Sequence, residues 1–262
     1  MAALRALWVF RGFILGSVQR EFQSRYRNSL LGGAWLVLSP LAMIVVYTVI
    51  FSQVMQARLP MAEGKFAYSI YLCAGILTWG LFTEIVTRCQ NVFLDNANLI
   101  KKLKFPRLCL PVIVVLSALL NFGIIFAIFL VFLGLLGQFP GWNIWLILPA
   151  LAVQLLLAVG LGIVLGVFNV FFRDVGHLFG IVLNFWFWCT PIVYPASILP
   201  EPVARLMAWN PMATLVGIYQ KLFLTGTADL SRLMPVLALA LFLCGMGAYL
   251  YRRHANEIVD EL

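Results

Sequence analysis

The side chains best able to do chemistry lie between Arg88 and Pro111, RCQNVFLDNANLIKKLKFPRLCLP, where Arg88, Lys101, Lys102, Lys104 and Arg107 interrupt two long apolar runs. Five cations beside one carboxylate suit electrostatic docking rather than bond making. Asp95, Asn96 and Asn98 can cap a short helix with Leu99, Ile100 and Leu103 on its apolar side, and Pro106 stops that helix at Phe105. Two readings of this basic amphipathic helix are open. It either orients the spans on each side of it or docks on a cytosolic partner.

Catalytic machinery is scarce elsewhere. A membrane enzyme gathers acids, bases or metal ligands at a cavity, and the two histidines are His177 and His254. There is no H-E-x-x-H, no nucleophile elbow and no pair of carboxylates within an apolar run. Asp95, Asp174 and His177 are what a polyprenol-phosphate enzyme at the membrane surface would have to use. With no G-x-x-x-x-G-K-[ST], the chain carries no P-loop for ATP. Ion coupling would place ionisable groups at mid-membrane, where Glu84 is the one candidate and lies toward an end of its run. Cys73, Cys89, Cys109, Cys189 and Cys244 form no C-x-x-C pair and have no neighbouring histidine, so they read as apolar packing residues. Neither a metal site nor a bound cofactor is expected.

These residues need a membrane scaffold to position them. Of 262 residues, 63% are hydrophobic and 11% charged, far from the balance of a soluble domain. The net charge of +8 is spread between apolar runs, as membrane orientation requires, so nucleic acid is not expected as a partner. The expected fold is an all-α polytopic membrane protein forming a single domain over residues 1–262. Residues 1–28 step apolar positions by three or four but carry Arg5, Arg11 and Arg25, which fits an interfacial helix that is retained rather than cleaved. Six spans are expected at 31–55, 66–87, 108–136, 144–172, 175–194 and 233–251, with Pro40 a kink in the first and Pro235 in the first turn of the last. Gly162 and Gly166 make a G-x-x-x-G pattern for close helix packing. Pro195, Pro200, Pro202 and Pro211 divide residues 195–227 into pieces too short to span and too apolar for water, which suits re-entrant helices enclosed by protein.

Lysine and arginine numbers set the orientation. With the N-terminus in the cytosol, that side holds five from Arg5 to Arg27, five from Arg88 to Arg107, then Arg173, Arg252 and Arg253, against five on the other side. Both termini, the basic stretch and the Arg173-Asp174 turn are therefore expected to be cytosolic. The spans also supply aromatics, among them Trp35, Tyr47, Trp79, Phe185 and Trp188. Interfacial belts and helix packing account for most such residues. The alternative is a glycan path, since aromatic faces pack on sugar C–H faces.

Gln19-Arg20-Glu21, then Ser24-Arg25-Tyr26-Arg27-Asn28-Ser29-Leu30-Leu31-Gly32 with Trp35 and Pro40, resembles the start of the membrane subunit of ABC-2 type polysaccharide exporters, the O-antigen and capsule export permeases. The resemblance continues through Asn98-Leu99-Ile100-Lys101-Lys102 with Phe105-Pro106, Phe172-Arg173-Asp174, Thr190-Pro191-Ile192-Val193-Tyr194-Pro195 and Asn210-Pro211, in the same order along nearly the whole chain. It implies a non-catalytic permease of the bacterial inner membrane, paired with a second copy of itself and two copies of a separate subunit that binds ATP and Mg. Its cargo would be a lipid-linked polysaccharide, moved among membrane lipids. Carried onto this sequence, residues 91–104 are the coupling helix, with Asn96, Leu99, Ile100, Lys101, Lys102 and Lys104 as contacts and Arg173 and Asp174 as a second contact. Arg20, Arg25 and Arg27 are expected near the lipid pyrophosphate, or else serve as positive-inside anchors. Teichoic acid or a small molecule would suit the same architecture.

Overall fold

The computed structural model describes residues 8–26, 34–50, 66–102, 106, 108–255 and 257–262. Every regular element among them is helical: α1 (Arg11–Tyr26), α2 (Trp35–Tyr47), α3 (Ala67–Asp95), α4 (Ala97–Lys102), α5 (Cys109–Leu135), α6 (Ile147–Phe171), α7 (Asp174–Trp188), α8 (Glu201–Met207), α9 (Pro211–Thr225), α10 (Leu233–Arg253) and α11 (Glu257–Glu261). Short 3-10 turns, Gly141–Leu146 and Leu230–Arg232, lead into α6 and α10. Among the described residues, four helices are long and apolar enough to cross a membrane: Ala67–Asp95, Cys109–Leu135, Gly141–Phe171 and Leu230–Arg253. The chain is an integral membrane protein.

The two other expected spans take different forms. The run at 31–55 contributes α2, with Pro40 inside it, and apolar helix continues to Ile50; residues 31–33 and 51–55 lie outside the described residues. The run at 175–194 contributes α7, whose 15 residues reach about 22 Å, short of the ~30 Å hydrocarbon core. The second span also runs past Thr87 to Asp95. Polar residues end its apolar pattern there but not its helix, because the backbone ladder continues through them to Asp95; Asn91 and Asn96 also donate side-chain N–H groups to Thr87 O at 3.0 Å and Val92 O at 2.9 Å.

α3 is the centre of the fold, with α5, α6 and α9 packed along it, and α6 is clasped between α3 and α10. Apolar surface gives little drive for helix association in lipid, so close van der Waals approach does the work. A Cβ at Gly160 would lie 2.7 Å from Cys244 N, one at Gly162 2.5 Å from Cys89 Cβ, and one at Gly166 2.8 Å from Cys89 O. The G-x-x-x-G pair thus sits against the α3 backbone, as its spacing implies.

The proline-rich region interrupts one passage along α3. α7 begins beside Gln90 and Asn169 and ends with Trp186 against Trp79 and Phe82. α9 starts at that level and runs on until Leu224 packs on Ala67 and Tyr71. Asn210 joins the two. Its Oδ1 accepts from Trp186 Nε1 at 2.9 Å and Met212 N at 3.0 Å, and its Nδ2 donates to Cys189 O and Thr190 Oγ1, both at 3.1 Å. The irregular 190–195 backbone finds partners as well, as buried carbonyls must. The Tyr71 hydroxyl is shared between Pro191 O at 2.9 Å and Tyr194 O at 3.0 Å, Tyr68 donates to Val193 O, and Gln220 Nε2 donates to Pro191 O at 3.2 Å. Gly75 makes room for this, since a Cβ there would meet Gln220 Nε2 at 2.9 Å and Ile192 Cγ2 at 3.1 Å.

Candidate functional site

The basic stretch resolves into a helix break and a short helix. At Asn96 (φ −109°, ψ 20°) the α3 backbone turns out of helical geometry, and Asn96 O accepts from Leu99 N and Ile100 N at 3.0 Å to start α4. Ile100 is buried, Leu99 is half-buried, and Lys101 and Lys102 are exposed. One apolar residue thus seats α4 and leaves its lysines facing outward. α11 packs against both α4 and α6, with Ile258 completely buried. Lys104 lies outside the described residues.

Arg173 and Asp174 open α7 at the same end of the molecule, both exposed. Asn169 on α6 fixes that turn. Its Oδ1 accepts from Gly176 N at 3.0 Å, while its Nδ2 donates to Asn91 Oδ1 at 3.0 Å and Gln90 O at 3.3 Å. One buried amide therefore ties the starts of α7 and the last turns of α3 together. At the same end Phe93 stacks on Tyr251, and Phe171 meets His254 edge-on. The two segments expected to contact a partner are thus brought to one end and linked through α3.

Beside them lies a charged cluster that sequence reading missed. Arg88 Nη2 pairs with Glu21 Oε1 at 2.6 Å and its Nη1 lies 3.6 Å from Glu84 Oε1. Ser117 Oγ donates to Glu21 Oε2 and Asn121 Nδ2 to Glu84 Oε2, both at 2.9 Å. The cluster pins α1 to α3 and α5. A helical spacing of four between Glu84 and Arg88 was visible in the sequence, but the partner from α1 was not. Of the arginines expected at the pyrophosphate, Arg20 lines a cavity here, while the side chain of Arg25 and all of Arg27 lie outside the described residues.

The five candidate path aromatics sit on three helices, α2, α3 and α7. Trp35 on α2 is 48% exposed, and Phe185 and Trp188 on α7 are 69% and 63% exposed. Tyr47 lines an apolar cavity with Pro40, Cys73, Glu84 and Asn121. Trp79 is 8% exposed, enclosed by Phe82, Trp186 and Phe187, a packing position within this chain. Among the described residues no three His, Cys, Asp or Glu side chains gather as a metal site.

The described residues thus form a helical membrane domain whose α4 lysines face outward. Its sequence matches the ABC-2 type transporter family over residues 14–224. The chain belongs to that family. It is 31% identical to the O-antigen export system permease protein RfbA of Myxococcus xanthus over 99% of this chain and 98% of that protein. It is 29% identical to a protein of the same name from Klebsiella pneumoniae, covering 93% and 92% of the two chains. Identity with the polysialic acid transport protein KpsM of Escherichia coli is 20%, over 92% and 93%. The ABC-2 match contains α3, α4 and the α7 to α9 passage, the elements that carry the features above.

Proposed function

We propose that this chain is the membrane subunit of an ATP-driven exporter of lipid-linked polysaccharide, an O-antigen or a similar glycan, with ATP and Mg held in a separate subunit. The reading rests on likeness to O-antigen export permeases along essentially the whole length of both chains. In it the protein sits in the bacterial inner membrane as a homodimer with two ATPase copies and both termini in the cytosol. α2 and the α7 to α9 passage complete six crossings, with α8 and α9 as the re-entrant helices of the outer side.

α4 is then the coupling helix. ATP binding closes the two halves of the partner, and a rigid-body shift passes through α4 and the Arg173-Asp174 turn into the spans. Lys101 and Lys102, exposed beside buried Ile100, are suited to an acidic groove. The lipid-linked polymer enters from the cytosolic leaflet, with Arg20, Arg25 and Arg27 near its pyrophosphate, whose oxygens arginine matches through paired hydrogen bonds. It then follows the exposed faces of α2 and α7, which present Trp35, Phe185 and Trp188.

Charge reversal of Lys101 and Lys102 together tests the reading. ATPase co-purification is expected to fall about tenfold, the scale of one or two lost charge-assisted contacts, with membrane insertion unchanged by protease accessibility. Unchanged co-purification would leave the lysines as an orientation signal alone.

A further inference from the structure

A cavity of about 310 Å³ opens between α1, α3, α4 and α5, beside the charged cluster but not filled by it. This lies at the lower end of the size range of small-molecule pockets, ~300–1,000 Å³. Its polar lining comprises Ser17, Arg20, Glu21, Arg88, Asp95 and Asn96, and its apolar wall includes Phe13, Leu110, Ile113 and Val114. The charges are not equally engaged. Arg88 is held by Glu21 and Glu84. Arg20 has the Ser17 hydroxyl at 3.1 Å and no carboxylate within 4 Å, and Asp95 has no hydrogen bond and no cation within 4 Å, among the described residues. The cavity therefore presents one available guanidinium and one available carboxylate, with a net charge of zero over its two arginines and two acids.

Its depth is also informative. Counting about 20 residues for the hydrocarbon core from Ala67, the start of α3, reaches the turn before Arg88. Arg88 to Asp95 thus lie at headgroup level, with the apolar wall beside them. We propose that this cavity seats the headgroup of a zwitterionic phospholipid, its phosphate on Arg20 and its primary ammonium on Asp95, with an acyl chain along Phe13, Leu110, Ile113 and Val114. An anionic headgroup would satisfy Arg20 and leave Asp95 facing like charge. A quaternary ammonium would fit the charge but offer Asp95 no N–H donor. Because Asn96, at the break between α3 and α4, and Leu99 of α4 belong to the same lining, the seated lipid forms part of the surface on which α4 rests. The inference depends on the membrane location of α3 and not on the identity of the cargo.

The test is lipid retention by the purified full-length chain with its ATPase. The complex is placed in mixed micelles holding equal amounts of phosphatidylethanolamine, phosphatidylglycerol and phosphatidylcholine, and retained lipid is read by native mass spectrometry. Phosphatidylethanolamine is expected to be retained about tenfold over each of the others, and Arg20→Ala and Asp95→Asn each to remove about fivefold or more of that preference, as loss of one charge-assisted contact does. Asp95→Asn conserves shape at an exposed position, and Arg20→Lys, which keeps the charge, is expected to restore part of the preference. Retention of phosphatidylglycerol over phosphatidylethanolamine, no retained lipid, or a preference untouched by both variants overturns the proposal. ATPase co-purification, read on the same samples, reports separately on the coupling role of α4.

Discussion

On one side of α3, α6 comes so close that a methyl group at Gly162 would lie 2.5 Å from Cys89 Cβ. On the other, α1, α2 and α5 leave cavities of about 280 and 310 Å³ and hold to α3 partly through ions and amides. The first side has one way to fit together, because steric contact between backbones rises steeply with displacement. The second has side chains that can exchange partners over a few ångströms. A transporter needs both. Under the proposed function, the α3, α6 and α10 side would move as a unit and the α1, α2 and α5 side would take that motion up.

The largest expected effect comes from the tight side. Gly162→Val should cost about 3 kcal/mol or more through forced separation of α3 and α6, read as loss of the monodisperse peak in size-exclusion chromatography. Leu120→Ala, an exposed position on α5, should change stability by less than about 0.5 kcal/mol. Comparable losses at both positions would erase the contrast. Next is the ionic attachment: Arg88→Met leaves Glu21 and Glu84 without their shared cation. With Arg88 only 24% exposed, this should cost about 2 kcal/mol, below the range for fully buried pairs. The loss should appear as faster amide exchange across Arg11–Tyr26, with α6 and α10 unaffected.

Asn169→Ala tests whether the tight side reaches the partner surface. It frees Gly176 N and the Asn91 amide at about 1 to 2 kcal/mol, and ATP hydrolysis in the assembled complex should become less dependent on transport while ATPase binding persists. The smallest structural effect belongs to Trp35→Ala, within about 0.5 kcal/mol because the ring is half-exposed. If α2 lines the path, export falls several-fold in the same variant, and unchanged export would remove Trp35 from it.

Much of this arrangement was legible in the chain. Apolar length revealed the long helices, Gly162 and Gly166 their close packing, and Ile100 with Lys101 and Lys102 the two-sided character of α4. Pairings distant in sequence were not. Nothing in Glu21 announces Arg88, and nothing in Asn169 announces Gly176, since each depends on where the helices cross. The end of α3 was misjudged because hydropathy registers Arg88 and Asn91 as interruptions, whereas the backbone ladder continues through them. Trp79 shows the same limit: aromatic character was readable, but enclosure by Trp186 and Phe187 arises only when α7 docks. Asn210 did carry a signal, as an N-cap residue directly before proline, although its bonds to Cys189 and Thr190 require the fold.

The junction at Asn210 has an electrical consequence. α7 and α9 point the same way along α3, so the carbonyl end of one faces the amide end of the other. Each such end carries roughly half an elementary charge, negative for α7 and positive for α9. Meeting across a single asparagine, the two nearly cancel. The broken passage thus has close to the field of one continuous helix, and its interruption adds little net charge of its own.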